Sequence, residues 1–169
     1  VNIGAVNDRP VVGDDSVTTD EDVSVTLNIL ANDSDVEDSG FNGANVSLED
    51  QGNGAGEYTK ATVSINTDGT LNIAPKQDEN GSFSFTYTLT DSEGLASETA
   101  TVTVTLTAVN DAPVAVDNTA EIQEDGSYEV NVWGNDTDVD ANDSFDLSRV
   151  KVVTAAQNGQ TVVNADGSI

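Results

Sequence analysis

The clearest pattern in the chain is an alternation of apolar and polar residues between residues 82 and 90. The apolar positions are Phe83, Phe85, Tyr87 and Leu89, with serine or threonine between them. A period of two turns one side of a β-strand towards a core and the other towards solvent. A second alternation, of apolar residues with threonine, spans residues 100–106. We find no 3.6-residue period, and we therefore predict a chain built from β-strands.

Five shorter apolar runs precede these two and are separated by turn-forming residues. We predict strands A to E over residues 15–19, 23–30, 46–48, 61–65 and 70–74, followed by strands F and G over residues 82–90 and 100–106. Seven short strands joined by turns are typical of an antiparallel β-sandwich of immunoglobulin-like size. The predicted fold class is therefore all-β, with a Greek-key sandwich as the unit.

A repeated hexamer shows that this unit occurs more than once. Ala-Val-Asn-Asp-Arg-Pro at residues 5–10 recurs as Ala-Val-Asn-Asp-Ala-Pro at residues 108–113, so that Asn110 follows Asn7 by 103 residues (110 − 7). Self-similarity at a domain-sized period indicates tandem modules, and proline marks the end of a strand. We predict the end of a preceding repeat's last strand over residues 1–6, a complete repeat over residues 7–109 and half of a second repeat over residues 110–169.

The second repeat is predicted to be incomplete. It repeats strands A and B with Tyr128, Val130 and Val132 turned inward, and it offers further strands over residues 150–154 and 160–163. Residues 166–169 match residues 68–71, so strands F and G have no counterpart, and half a sandwich should not bury enough surface to fold alone. Three explanations stay open: a cloning or processing boundary, another domain inserted at this hairpin, or missing strands supplied by another chain.

The net charge of the chain excludes some classes of partner. Five basic residues oppose 31 acidic ones, which gives a net charge of −26. Such a chain repels nucleic acid and anionic membranes and attracts cations, and it has no long apolar stretch for membrane insertion. It contains no cysteine, histidine or methionine, which removes disulfides and the soft ligands of zinc, copper and iron. Calcium, which is bound by oxygen ligands, remains as the candidate metal.

The Greek-key topology sorts the acidic residues between two ends of a repeat. Strand A runs away from the preceding linker, so the B–C and F–G turns share the leading end, and the A–B and E–F turns share the trailing end. Candidate metal ligands at the leading end of the first repeat are Asn7, Asp8, Asp33, Asp35 and Asp91. At its trailing end the candidates are Glu21, Asp22, Asp78 and Glu79, followed by Asn110 and Asp111 in the linker and Asp136 and Asp138 in the next B–C loop.

Carboxylates gathered in this way would repel one another without a cation. Two charges about 4 Å apart repel by about 1 kcal/mol in water and about 4 kcal/mol at the effective dielectric of a protein surface. Calcium takes about 6 to 8 oxygen ligands in flexible geometry and turns this repulsion into attraction. We therefore predict Ca²⁺ as the cofactor, with a flexible string of repeats in its absence and a stiff rod in its presence.

The chain resembles the cadherin-like tandem repeats of large bacterial surface proteins, including the extender modules of calcium-dependent RTX-type adhesins. The resemblance rests on Val-Asn-Asp-Ala-Pro at residues 109–113, the Glu-Asp turn, the Asn-Asp-x-Asp loop and Tyr-Thr-Leu-Thr-Asp at residues 87–91, and it covers essentially the whole chain. It implies cadherin-like sandwiches in a secreted or cell-surface protein of a Gram-negative bacterium. It also implies that these modules extend a distant adhesive tip.

The cadherin calcium pattern can be matched residue by residue. By this resemblance Glu21 is the A–B glutamate and Asp91 is the late single aspartate, while the remaining ligands are Asp78 and Glu79, Asn110 and Asp111, and Asp136 and Asp138. The sequence departs from the pattern at Ala108, where animal cadherins carry an acid, and no residue separates Asp78 from Glu79. We therefore expect about one to three ions per linker.

The predicted function is a calcium-rigidified extender or spacer module of a bacterial surface adhesin, projecting a distal ligand-binding region for cell adhesion or biofilm formation. The alternative is a split β-sandwich that carries or adjoins an inserted carbohydrate- or protein-binding domain. The expected partners are neighbouring repeats of the same chain, and other domains would bind the adhesive target. No enzymatic activity is predicted, because the carboxylates lie at repeat ends instead of in the cleft that a glycosidase needs.

Overall fold

A computed structural model of the chain describes residues 6–49, 58–140 and 144–169. The chain divides into two compact units, which we call unit 1 (Val1–Val109) and unit 2 (Asn110–Ile169). Most of the strand end predicted over residues 1–6 lies outside the described residues, and Val6 itself is not in a strand. None of the described helical segments is long and apolar enough to cross a membrane.

The described residues of unit 1 form a β-sandwich of seven strands, which confirms the predicted all-β immunoglobulin-like fold. Its strands are β1 (Asp15–Asp20), β2 (Val25–Leu27), β3 (Val46–Leu48), β4 (Ala61–Ile65), β5 (Leu71–Pro75), β6 (Gly81–Leu89) and β7 (Ala100–Thr107). One sheet has the order β1-β7-β6-β3 and the other β2-β5-β4. Strand β1 runs parallel to β7, and the other pairs are antiparallel.

The core of unit 1 lies between these sheets and follows the alternation seen in the sequence. Phe85 pairs with Val102 across β6 and β7, and both side chains are buried. The ring of Tyr58 lies 4.7 Å from that of Phe85, centroid to centroid. Burial of each such side chain contributes about 1.5 to 3 kcal/mol. The paired inner faces of β6 and β7 therefore make a large contribution to the sandwich.

Strand B is shorter than predicted, whereas the other six strands begin and end within one residue of the prediction. The predicted strand over residues 23–30 is reduced to Val25–Leu27 and is followed by a 3-10 helix, Ile29–Asn32. The side chain of Asn28 accepts a hydrogen bond from the Leu30 N–H at 3.1 Å, and this local bond competes with the extended backbone. The apolar period continued through residue 29, but the asparagine ended the strand.

Unit 2 does not form the strands that the sequence predicted. Its described residues contain one 3-10 helix, Leu147–Arg149, and an isolated bridge between Val114 and Thr137, but no β-strand. Tyr128, predicted to point inward, is 64% exposed. In unit 1 the first strand, β1, pairs only with β7. In the described part of unit 2, the segment predicted as strand A, residues 118–122, makes no backbone–backbone hydrogen bond.

Candidate functional site

A buried carboxylate organises the trailing end of unit 1. Glu21 follows β1 and is only 3% exposed. Its Oε1 accepts a hydrogen bond from the Val109 N–H at 2.6 Å, and its Oε2 accepts one from Asn80 Nδ2 at 3.2 Å. The Glu21 N–H donates in turn to the Thr107 carbonyl at 2.9 Å. The A–B turn, the E–F turn and the last residue of unit 1 thus meet at one side chain.

Two further aspartates lie together in these turns. The Asp78 N–H donates to Asp22 Oδ1 at 3.1 Å, and both residues have left-handed backbone, with φ of 58° and 60°. Aspartate tolerates this conformation better than most residues do. The neighbouring Glu79 instead forms an ion pair with Lys60, at 3.4 Å. The A–B and E–F turns therefore bring Asp22 and Asp78 together, whereas the side chain of Glu79 pairs with Lys60.

The leading end of unit 1 brings together the linker, the B–C loop and the F–G turn, as the Greek-key topology requires. Asn7 Nδ2 donates to Asp91 Oδ2 at 2.7 Å. The Asp8 N–H donates to Glu37 Oε2 at 3.2 Å. Although burial acts to raise the pKa of Asp91, hydrogen bonds from the Leu95 N–H and from Asn7 hold that pKa below its ordinary value. Asp91 is therefore placed as a stable anion.

The two B–C loop aspartates of unit 1 differ in how they are satisfied. Asp33 Oδ1 accepts from the Gly13 N–H at 3.0 Å. Asp35 Oδ1 accepts from the N–H groups of Glu37 and Asp38, both at 2.9 Å, but Asp35 Oδ2 is buried without a hydrogen-bond partner. A buried carboxylate oxygen without a donor is costly unless a cation or water compensates it. Asp35 is thus a predicted ligand with a buried oxygen atom that a bound cation would stabilise.

A buried tyrosine hydroxyl lies behind this loop. The Tyr87 hydroxyl is 3.0 to 3.3 Å from the carbonyls of Gly13 and Ile29, from Asp15 Oδ2 and from both carboxylate oxygens of Asp33. It has one proton to donate, so these acceptors compete for it. Burial raises the pKa of Asp15 to about 6, and it also raises the pKa values of Asp33 and Tyr87. Sequence reasoning treated Tyr87 only as a core residue and missed Asp15.

The leading end of unit 2 repeats the same loop. The Asp111 N–H donates to Asp140 Oδ2 at 2.7 Å, the Asp140 N–H to Asp138 Oδ1 at 3.0 Å, and the Val116 N–H to Asp136 Oδ1 at 2.8 Å. The same contacts occur 103 residues earlier, between Asp8 and Glu37, Glu37 and Asp35, and Gly13 and Asp33. Asp140 and Glu37 were not predicted as ligands, although the repeat offset aligns them.

The remaining predicted ligand, Asn110, has its side chain turned along the linker. Its Nδ2 donates to the carbonyl of Asp111 at 2.7 Å, which leaves the amide oxygen of Asn110 as a further oxygen donor. Asn110 is exposed, so its side chain has no packing that fixes it in this position.

The chemistry of these groups suits a hard cation such as Ca²⁺, Mg²⁺ or Mn²⁺. The candidates are all carboxylate or amide oxygens, and the hydrogen bonds to Glu21, Asp33 and Asp35 come from neutral N–H groups that leave the negative charge in place. Among the described residues of unit 1 alone, no three carboxylates converge within 4.8 Å. A calcium ion held by unit 1 alone would therefore also need carbonyl oxygens or water.

The architecture agrees with a comparison against known families. A family model described as bacterial Ig domain matches residues 7–105 and again residues 110–169. The chain belongs to this family. Both matches begin at a linker asparagine, Asn7 or Asn110, so each unit corresponds to one bacterial Ig domain match. No curated protein matches the chain.

Bacterial Ig domains are typically non-enzymatic repeat modules of extracellular or surface proteins. In this chain, the polar groups of unit 1 that most resemble a binding site lie at the two ends of the bacterial Ig sandwich. The flat faces of its two sheets carry mainly serine, threonine and asparagine between the core residues.

Proposed function

We propose that this chain is a calcium-rigidified extender module of a large, cadherin-like RTX-type surface adhesin of a Gram-negative bacterium. Its repeats would project a distal ligand-binding region for cell adhesion or biofilm formation. The observation that carries this proposal is the buried Glu21 carboxylate, which is hydrogen-bonded to Val109, the last residue of unit 1. Through this hydrogen bond, the buried carboxylate of the A–B turn fixes the backbone at the point where the linker begins.

The residues on both sides of the linker are suited to share a calcium ion. In unit 1 the ligands would be Glu21, Asp22 and Asp78, and beyond Val109 they would be Asn110, Asp111, Asp136 and Asp138. When bound, the ion would neutralise these carboxylates and hold the linker at a fixed angle. Glu79 contributes less in this proposal, because its charge is already paired with Lys60.

The protein's own residues prepare the linker for this role. Glu21 fixes the Val109 backbone, and the Asp22–Asp78 contact fixes the A–B turn against the E–F turn. After the linker, Asp140 holds the Asp111 N–H and Asp138 holds the Asp140 N–H. Each half of the proposed site is therefore ordered within its own unit before an ion is bound, which reduces the entropy lost on binding.

The leading end of unit 1 would serve a preceding repeat in the same way. Its ligands would be Asn7, Asp8, Asp33, Asp35 and Asp91, and the unpartnered Asp35 Oδ2 supports a cation there. Neighbouring repeats are thus the proposed partners, and the adhesive target would be bound by other domains of the protein. Neither nucleic acid nor a membrane is a partner in this proposal, because a net charge of −26 repels both.

Calorimetric unfolding in excess chelator and in about millimolar calcium tests the proposal, with magnesium as the comparison ion. A ligand at about 100 times its dissociation constant stabilises the folded state by about 2.7 kcal/mol. We expect a calcium-specific rise in the melting temperature of the unmodified chain. The rise should be strongly reduced in Glu21→Gln, which keeps the size of the side chain but removes its charge.

Glu124→Gln is the matched control for this variant. Glu124 stands 103 residues after Glu21 in the sequence, but it is exposed and is not one of the proposed ligands. The calcium response of Glu124→Gln should equal that of the unmodified chain. No calcium response in the unmodified chain, or an equal loss in both variants, would contradict the proposal. If the proposal is correct, small-angle scattering should show a narrower range of interdomain distances with calcium than with chelator.

A further inference from the structure

Lys60 places a positive charge among the acidic turns at the trailing end of unit 1. Its Nζ donates to the Asn80 carbonyl at 2.5 Å and lies 3.4 Å from Glu79 Oε2. Lys60 immediately precedes β4 and Asn80 immediately precedes β6, and these two strands belong to different sheets. The ammonium group therefore connects the two sheets at the point where both strands begin.

A series of hydrogen bonds leads from Lys60 to the last residue of unit 1. Asn80 Nδ2 donates to Glu21 Oε2 at 3.2 Å, and Glu21 Oε1 accepts from the Val109 N–H at 2.6 Å. Asn80 is exposed and is followed by Gly81, with φ of 91°, a residue type that restrains the backbone little. The bond from Lys60 to the Asn80 carbonyl therefore helps to hold the side chain that donates to the buried carboxylate.

Lys60 also occupies a carboxylate that could serve as a metal ligand. Glu79 directly follows Asp78, whose N–H donates to Asp22 Oδ1. An ammonium group and Ca²⁺ bind the same carboxylate oxygens, so they compete for Glu79. The side chains of Lys60 and Glu79 are 30% and 44% exposed, and solvent weakens a pair of this kind. The pair is therefore weak enough for a bound ion, or the loss of the lysine, to break it.

We propose that Lys60 is a positioning residue that limits the number of carboxylates available to calcium at the trailing end of unit 1. It keeps Glu79 paired, and through the Asn80 carbonyl it supports the hydrogen bond to Glu21. This inference rests on the proposed calcium site and names the residue that sets its affinity.

The proposal predicts opposite effects of the lysine with and without calcium. In the absence of the ion, removal of the ammonium group leaves the Glu79 carboxylate next to Asp78 with no opposite charge and releases Asn80, so unit 1 loses stability. In its presence, Glu79 becomes a further ligand and a nearby positive charge is gone, so calcium binds more tightly. Glu21 keeps its hydrogen bond from the Val109 N–H, so its own placement changes less.

Lys60→Met tests this inference in the intact chain, because methionine keeps an unbranched apolar side chain and removes the charge. We expect the dissociation constant for calcium, measured by calorimetric titration, to fall about fivefold, the effect of one unit charge about 4 Å away in water. In excess chelator, the melting temperature of this variant should fall below that of the unmodified chain. A lysine that only stabilised the fold would leave the dissociation constant unchanged.

Two further lysine variants are the controls. Lys76 follows β5 at the same end of unit 1, and its Nζ donates to the Tyr58 carbonyl at 2.7 Å. Lys76→Met removes the same charge, and at physiological ionic strength it should change the calcium affinity by less than about twofold. Lys60→Arg keeps the positive charge and should bind calcium as the unmodified chain does.

Glu79→Gln identifies the carboxylate through which Lys60 acts. When Lys60→Met is added to Glu79→Gln, most of the gain in affinity should be lost, because the released ligand no longer exists. The inference is overturned by equal gains in Lys60→Met and Lys76→Met, by a gain of full size in the Glu79→Gln background, or by an unchanged or weaker affinity of Lys60→Met. These outcomes leave the proposed function standing, whereas absence of calcium binding by the unmodified chain overturns both.

Discussion

Unit 1 and unit 2 share their local contacts but not their packing. The bridge between Val11 and Ser34 recurs between Val114 and Thr137. The hydrogen bond from the Leu30 N–H to Asn28 recurs from the Trp133 N–H to Asn131. Yet the described part of unit 1 forms seven strands, and that of unit 2 forms none. In this chain the asparagine hydrogen bond and the bridge therefore form in both units, whereas β-ladders form only in the described part of unit 1.

The hairpin turn between the fourth and fifth strands illustrates the same lesson. In unit 1, Asp68 Oδ1 accepts from the Thr70 N–H at 3.0 Å, and in unit 2 Asp166 Oδ1 accepts from the Ser168 N–H at 3.1 Å. Hydrogen bonds from the Thr70 and Ser168 hydroxyls, together with those from these N–H groups, lower the pKa values of Asp68 and Asp166. An Asx turn needs only its own residues, so it forms without the β-ladder that follows it in unit 1.

The largest expected difference between the units comes from their aromatic residues. Phe85→Ala removes a ring that is 2% exposed and packs on Tyr58, and it should lower the free energy of unfolding of unit 1 by about 3 to 5 kcal/mol. Tyr128→Ala in unit 2 removes an exposed ring and should change stability by less than about 0.5 kcal/mol. Urea denaturation followed by circular dichroism measures both.

Trp133 fluorescence adds a separate probe of unit 2 to this experiment. If the two units are independent, Phe85→Ala should shift the circular dichroism transition and leave the Trp133 signal unchanged. Equal destabilisation by Phe85→Ala and Tyr128→Ala would show that unit 2 has a packed core after all.

A smaller difference is expected at the glycines of the two hairpin turns. Gly69 and Gly167 both have positive φ, of 87° and 78°, so alanine is strained at either position. A Cβ at Gly69 would also lie 2.2 Å from Leu30 Cδ1, whereas at Gly167 the nearest atom would be Leu147 Cβ at 3.1 Å, followed by Trp133 at 3.3 Å. Gly69→Ala should cost about 1 to 3 kcal/mol. Thermal unfolding should show a smaller loss for Gly167→Ala, and a larger loss there would contradict the comparison.

The sequence allowed six of the seven strands of unit 1 to be predicted to within one residue, because alternation and turn residues agree there. Strand B was too long, since its apolar period continues past Asn28 while the asparagine side chain redirects the backbone. In unit 2 the same alternation at Tyr128, Val130 and Val132 predicted an inward face that does not form. Periodicity predicts which face of a strand would be buried, but it does not show whether an opposing sheet packs on that face.

At the leading end of unit 1, the proximity of the polar segments was predictable, but their individual contacts were not. The topology correctly brought the linker residues Asn7 and Asp8 to the B–C loop and the F–G turn. The pairing of Glu79 with Lys60 was not foreseeable, because the lysine is distant in sequence. The role of Asp15 was missed for a similar reason: its environment depends on the Tyr87 hydroxyl, which reaches it from another strand.

A third prediction concerns the pH dependence of unit 1. Burial raises the pKa of Asp15 from 3.8 to about 6, so the folded state holds a proton that the unfolded state releases. The stability that this proton supplies is complete at about pH 4 and below, and it is lost as the pH rises through about 6. Unit 2 has Asn118 at the equivalent position and cannot show this effect.

Asp15→Asn introduces the residue of unit 2 into unit 1 and tests the assignment. In chelator, the urea midpoint of the unmodified chain should fall between about pH 4.5 and pH 7.5 by more than that of the variant. Asp15 is partly exposed, so solvent screening keeps the difference small. The lowered pKa of Asp91 acts with the opposite sign at more acidic pH and is common to both proteins. An identical pH profile for the two chains would contradict the assignment.

The smallest expected effect belongs to an ion pair that unit 2 lacks. Arg9 Nη1 lies 2.8 Å from Glu98 Oε1, with side chains 58% and 86% exposed, and unit 2 has Ala112 in place of the arginine. Exposed pairs contribute about 0.2 to 1 kcal/mol, and salt screens them. Arg9→Ala should therefore cost less than about 0.5 kcal/mol in urea denaturation at physiological ionic strength.

Glu98→Gln separates the ion pair from the general field of a chain with net charge −26. If the pair itself stabilises unit 1, both Arg9→Ala and Glu98→Gln lower the urea midpoint. If self-repulsion of the acidic surface dominates, Glu98→Gln raises the midpoint because it removes a negative charge, while Arg9→Ala lowers it. We expect the second outcome at low salt, since an exposed pair is weak and the excess of carboxylates is large.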